Sequence, residues 1–148
     1  MSALATPPAT KAGSTSHNLI AIETDSIEAA AEVLLDHATA LGASDLFICT
    51  NEQHVLVQVR HLGMVRPLTV MSTEQGKRVL TLIKTRALLD LAERRRPQEG
   101  RWIYQNNKTS STVDLRVSAI PTAFGEDLAI RILDRTTRLF SLENPGHP

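Results

Sequence analysis

The chain has very little that could cross-link it, anchor it or arm it chemically. Cys49 is the only cysteine in 148 residues, so no intrachain disulfide can form. It lies in an apolar run and reads as a buried small hydrophobe in a reducing compartment. An excess charge of one sign is also missing. Lys and Arg number 16, Asp and Glu 16. That balance removes the basic excess which DNA, RNA or anionic lipid would favour. No stretch approaches the ~20 apolar residues of a membrane helix, and the N-terminal residues lack the apolar run of a secretory signal. The expectation is a cytoplasmic protein with no nucleic-acid partner and no direct membrane insertion. His17, His37, His54, His61 and His147 show no metal-ligand spacing, and H-E-x-x-H is absent, so no metal site is expected. Without a G-x-S-x-G elbow, acyl transfer by that route has no support. Aromatic residues are 3% of the chain. Trp102 and Tyr104 read as core or interface rather than as a platform for bases.

What is present is the makings of one α+β domain. Residues 1–18 are small and polar with two adjacent prolines and read as a disordered arm. Residues 19–137 form the domain and 138–148 a flexible tail. A helix is predicted from Ser26 to Leu41, capped by Asp25 with Glu28 as the return half of a capping box. Ile27, Ala31, Leu34, Leu35, Ala38 and Leu41 share its apolar face, and Gly42 closes it. Strands follow over Leu46–Thr50, His54–Arg60 and Met64–Val70, and Pro67 marks the last as an edge or strand end. A second helix starts after Ser72, with Gln75 completing the cap. It buries Val79, Leu80, Ile83 and Ala87, and Pro97 stops it. Leu88 to Arg94 either continues that helix or makes a separate turn. Gly100–Tyr104, Thr112–Ile120 and Asp127–Leu133 read as further strands, with a turn at Asn106–Lys108 and a loop over Pro121–Gly125. The sum is a mostly antiparallel sheet with two helices packed on it.

Three segments carry a likeness. Glu93-Arg94-Arg95-Arg96-Pro97-Gln98-Glu99-Gly100-Arg101 resembles the E-R-x-x-P-Q-D-G-R signature of the type II secretion and type IV pilus assembly ATPases. Asp114-Leu115-Arg116-Val117-Ser118-Ala119-Ile120-Pro121-Thr122, then Gly125-Glu126, then Ile130 to Asp134, resembles their D-x-R-V-S-x-x-P-T…G-E…R-x-L-D pattern, with Arg131 as its later arginine. Upstream, Ala43 to Ile48 resembles A-S-D-I-H-I. The matches keep the family's order and spacing over about residues 26–134. Departures lie in the first half, where Phe47 and Cys49 replace His and Glu, and Gln58 and Leu62 replace Arg and Asp.

The resemblance implies a PAS-like N-terminal domain that precedes a RecA-like ATPase core. It also implies that arginines at the motif positions of Arg101 and Arg116 reach over to phosphates of ATP held in that core. A planar, permanently charged guanidinium suits the charge of a transferring phosphoryl group. The residues alone leave Arg101 and Arg116 open to a plainer reading as surface arginines. Asp114 then pairs along its strand face, and Glu126 braces the last turn. Arg94 pairs with Glu93, and Arg95 and Arg96 are solvated.

A phosphate-binding loop needs G-x-x-x-x-G-K-S/T. The single Gly-Lys pair, Gly76-Lys77, is followed by Arg78 and preceded at position 71 by Met. No catalytic residue is therefore expected, no cofactor bound by this chain alone, and ATP only with a partner ATPase core. Three readings follow. The first is an interaction module for a secretion or pilus ATPase or another component of that machinery. The second is half of a split secretion ATPase. The third is a PAS-like sensor of a small ligand.

Overall fold

The computed structural model describes residues 19–106 and 109–134, the side chain of Asp134 excepted. The expected disordered arm, the whole of the expected tail, the last three residues of the expected domain and two residues of the turn expected at 106–108 lie outside these residues. The chain order is α1 (Ile27–Leu41), β1 (Asp45–Thr50), β2 (Val55–His61), β3 (Met64–Met71), α2 (Thr73–Arg86), β4 (Gln98–Gln105), β5 (Thr112–Thr122) and β6 (Gly125–Asp134). The six strands form one antiparallel sheet in the order β3-β2-β1-β6-β5-β4. Two meanders, β1 to β3 and β4 to β6, thus meet through β1 and β6. The α+β class and the two helices read from the sequence are what the structure contains.

Periodicity explains the layers. Leu46 and Ile48, Val55, Val57 and Val59, Val113, Leu115 and Val117, and Leu128 and Ile130 are buried every second residue along their strands. They therefore point to one side of the sheet. On that side lie Ala30, Ala31, Leu34, Leu35 and Ala38 of α1 and Val79, Leu80 and Ile83 of α2, all buried. The other side of the sheet is covered by no helix among the described residues.

The α1 cap is not Asp25. Ser26 is the cap, its Oγ accepting from the backbone N of Ala29 at 3.1 Å, and Glu28 instead accepts from Arg86 at 2.9 Å. Gly42 closes the helix at φ 80°, a conformation glycine adopts without a Cβ clash. Ser72 caps α2 as its sequence predicts, accepting from Gln75 N at 3.1 Å. Pro97 does not stop α2. The helix has already ended at Arg86, and Leu88 takes φ 63°. Pro97 immediately precedes β4. The loop expected over Pro121–Gly125 shrinks to a tight turn at Ala123-Phe124, because both strands run on until Thr122 pairs with Gly125. Pro67 falls on edge strand β3, beside a bulge, where a missing N–H is tolerated. Cys49 is only half-buried, since its odd-numbered register turns it to the uncovered face.

Candidate functional site

The uncovered face carries its arginines in one line. The register sets Arg101 opposite Arg116, Arg116 opposite Arg131, Arg131 opposite Asp45 and Asp45 opposite Arg60. Directly paired residues in adjacent strands project to the same side. Five strands therefore contribute one row, which spans four strand spacings, or about 19 Å.

Two carboxylates form its floor. Asp114, two residues before Arg116 and so on the same face, accepts from Arg101 Nε and Nη2, each at 3.0 Å, and from Arg116 Nε at 3.3 Å. Asp45 accepts from Arg131 Nε at 3.2 Å and pairs with Arg60 Nε at 3.3 Å. The aspartate side chains are 5% and 8% exposed, whereas Arg101 and Arg116 are each 55% and Arg131 64% exposed. Facing like charges across strands are unfavourable, and the shared carboxylates offset that repulsion. Donation from Arg101 holds the Asp114 carboxyl below its usual value against the opposing effect of burial, with Arg116 adding to the shift. The same contact raises the already high Arg101 value. Four guanidiniums over two carboxylates leave two positive charges along the row at neutral pH. The arrangement presents pre-positioned, solvent-facing donors to an anion.

The first motif shapes the approach to this row. Gln98 Nε2 donates to the carbonyls of Asp90 and Glu93 at 2.9 and 3.1 Å, and its Oε1 accepts from Asp90 N at 2.9 Å. The Glu93 carboxylate accepts from the backbone N of Arg95 at 2.9 Å, which differs from the expected pairing with Arg94. Arg94, Arg95 and Arg96 are exposed. These bonds fix the segment that enters β4 and hence the register of Arg101. Gly100 is half-buried. It lies inside β4, where a Cβ would run into the Ala87 carbonyl oxygen and come within 2.7 Å of Leu89 Cδ2. Its bareness lets the end of α2 close on the sheet.

The second motif reaches through the sheet. Pro121 pairs with Glu126 next to the β5–β6 turn, and Gly125 takes φ 141°. Glu126 is buried on the helix side, its two carboxylate oxygens accepting from Lys84 Nζ at 2.7 and 2.9 Å. That bond braces α2 against β6. Lys84 gave no signal in the sequence beyond its place one residue from Ile83. Asp45 and Arg60 were also missed as site residues; only register reveals them, because they are distant in sequence from Arg131.

Elsewhere the chemistry is sparse. Among the described residues no three His, Cys, Asp or Glu side chains group as a metal site, and no helix is long and apolar enough to cross a membrane. The Cys49 thiol is pushed up by burial and then by Asp127. Trp102 and Tyr104 meet edge-to-face at 5.3 Å, and Tyr104 donates to Asp36 at 2.7 Å. A cleft of about 210 Å³ beside them is lined in part by Glu28, Glu32 and Arg86, with Arg86 lying 5.7 Å over the Trp102 ring.

Comparison with known proteins agrees with the motifs. The type II secretion system protein E of Dickeya dadantii is 34% identical over 113 residues, 76% of this chain and 22% of that protein. The type IV pilus assembly ATPase PilB of Acinetobacter baylyi is 32% identical over 114 residues, 77% of this chain and 20% of its own length. A type II secretion system protein E of Xanthomonas campestris pv. campestris is 36% identical over 114 residues, again 77% of this chain and 20% of the relative. The chain thus spans about a fifth of the length of these relatives. With residues 21–147 matching the family described as type II/IV secretion system protein, this chain belongs to that family and corresponds to an N-terminal region of its ATPases.

Proposed function

We propose that this chain is a non-catalytic interaction module of the secretion or pilus assembly machinery, acting in the cytoplasm. Its partner is an ATPase core, and Arg101 and Arg116 supply guanidinium donors to phosphates of ATP held there. The supporting observation is Asp114, a buried carboxylate that fixes both arginines side by side while leaving each 55% exposed. Such preorganisation lowers the reorganisation needed when negative charge develops on a transferring phosphoryl group. Arginine fingers in other nucleotide hydrolases raise the rate about 10³–10⁵-fold.

The test is reconstitution. A secretion ATPase core produced without the region this chain matches is assayed for ATP hydrolysis with and without the chain. The expected result is a rise in rate that Arg101→Ala and Arg116→Ala together abolish, with circular dichroism unchanged. Binding to the core without any effect on hydrolysis would remove the arginine part of the reading. Absence of binding would remove the whole. Full restoration of hydrolysis by the chain would identify it as half of a split ATPase.

A further inference from the structure

The proposed function uses only the β4–β5 end of the uncovered face. At the other end, Phe47 and Cys49 of β1, Leu56 of β2, and Val65 and Val70 of β3 share a side with Arg60. Val65 and Val70 are 43% and 47% exposed. At the rim stands Leu62, 87% exposed at φ 54°, followed by Gly63 at φ 79°. A two-residue hairpin turn with both φ angles positive favours Asn-Gly or Asp-Gly. Leucine there is strained, and its exposed side chain contributes nothing to this domain's own core. Strain held without a folding gain points to a role outside the domain, and contiguous apolar surface points to a contact.

Charge limits what that contact can be. Arg60 and Arg131 share the single carboxylate of Asp45, so one positive charge remains beside the apolar residues. Arg60 also stacks 5.5 Å over the Phe47 ring, which joins the charged and apolar parts into one surface. Of the other acids on this side among the described residues, Asp127 accepts from the Thr50 N at 2.9 Å at the opposite end of β1 from Arg60, Asp114 is held by Arg101 and Arg116, and Glu99 stands on the far edge strand β4. A second copy laid face to face would set two arginine rows against each other. A bilayer would reach Leu62 at the rim, but not the half-buried Phe47 and Leu56 between long polar side chains.

We propose that the β1–β3 half of the uncovered face, with Leu62 at its rim, docks an acidic, apolar segment of a partner protein. The segment's carboxylates meet Arg60 and Arg131, and its apolar side chains cover Phe47, Val65 and Leu62. This goes beyond the nucleotide reading and does not depend on phosphate reaching Arg101 or Arg116.

The probe is a synthetic peptide of Glu-Leu-Leu-Glu repeats, titrated into the whole isotopically labelled chain and followed by amide chemical shifts. Shifts centred on Phe47, Arg60 and Val65 are expected. Replacing the peptide's Glu with Gln, or its Leu with Ser, should weaken binding. Leu62→Asn should weaken it roughly 5- to 30-fold, equivalent to about 1–2 kcal/mol, and at the same time raise the thermal midpoint of the free chain by relieving the turn. A residue that merely shaped the hairpin would gain stability without losing affinity. The proposal is overturned if the peptide shifts map elsewhere or are absent, or if Leu62→Asn leaves affinity unchanged. It is equally overturned if the free chain self-associates through these residues. Binding to phosphatidylserine vesicles that is lost with Leu62→Asn, in the absence of peptide binding, would assign the surface to lipid instead.

Discussion

The two sides of the sheet each hold acid–base pairs, and they use them differently. On the helix side, Lys84 and Glu126 are 2% and 7% exposed and hold each other at 2.7 Å. On the uncovered side, Asp114 is 5% exposed but its partners Arg101 and Arg116 are more than half exposed. A sealed pair offers no donor to solvent and can only brace. A buried anion under open cations leaves guanidinium N–H groups for another anion, and keeps those cations apart from one another. Ion pairing alone therefore does not mark a site; the asymmetry of burial within the pair does.

The sealed pair gives the largest expected effect. Lys84→Met alone leaves the Glu126 carboxylate buried without a partner, a loss of about 3–5 kcal/mol. Changing both, Lys84→Met with Glu126→Leu, should recover most of it, as read from urea unfolding midpoints. If the double variant is as unstable as the single, the pair is not the isolated brace described here.

Packing should differ between the sides in the same sense. Gly100→Ala pushes a methyl into the Ala87 carbonyl and Leu89 on the helix side, with an expected loss of about 1–3 kcal/mol. Ser118→Ala, in the neighbouring strand but on the uncovered face, should stay within about 0.5 kcal/mol. Equal losses at the two positions would remove the distinction between a packed and an open side.

The smallest effect is the pH response of the open side. Arg101, chiefly through its hydrogen bonds, depresses the Asp114 carboxyl below its ordinary value of 3.8. A depressed acid contributes stability that is fully present above that ordinary value and is lost as pH falls through the folded-state value. Between pH 5 and pH 2 the wild type should lose more stability than Asp114→Asn, whose amide does not titrate. Parallel acid limbs in the two proteins would show that the carboxylate is not held by its arginines.

Much of this architecture was legible without coordinates. The alternation Val113, Leu115, Val117 against Asp114, Arg116, Ser118 gave both the strand and its two sides, because a pleated strand turns each successive side chain over. Ser72 and Gly42 gave helix ends, since caps are local chemistry. The misreadings were equally physical. Asp25 and Ser26 are both good caps, and local sequence does not choose between them. Pro97 drew the end of α2 too late, because the helix ends at Arg86 and the chain turns at Leu88, φ 63°, where no proline or glycine marks it. The bareness of Gly100 serves a contact with Ala87 and Leu89, which its own strand does not announce. Cys49 looked buried because an apolar run does not say which of its residues face the helices.

The candidate site divides in the same way. Arg101, Arg116, Asp114 and Arg131 could be singled out from motif order. That they stand in one row with Asp45 and Arg60 could not, because register is a property of paired strands and the row joins five of them. Sequence by itself determined the elements, the family and the absence of a phosphate-binding loop from these 148 residues, since each is written in contiguous or regularly spaced residues. Only the tertiary structure decided which charges are sealed and which are open. Burial depends on what packs across a sheet, and that is set by residues far apart in the chain.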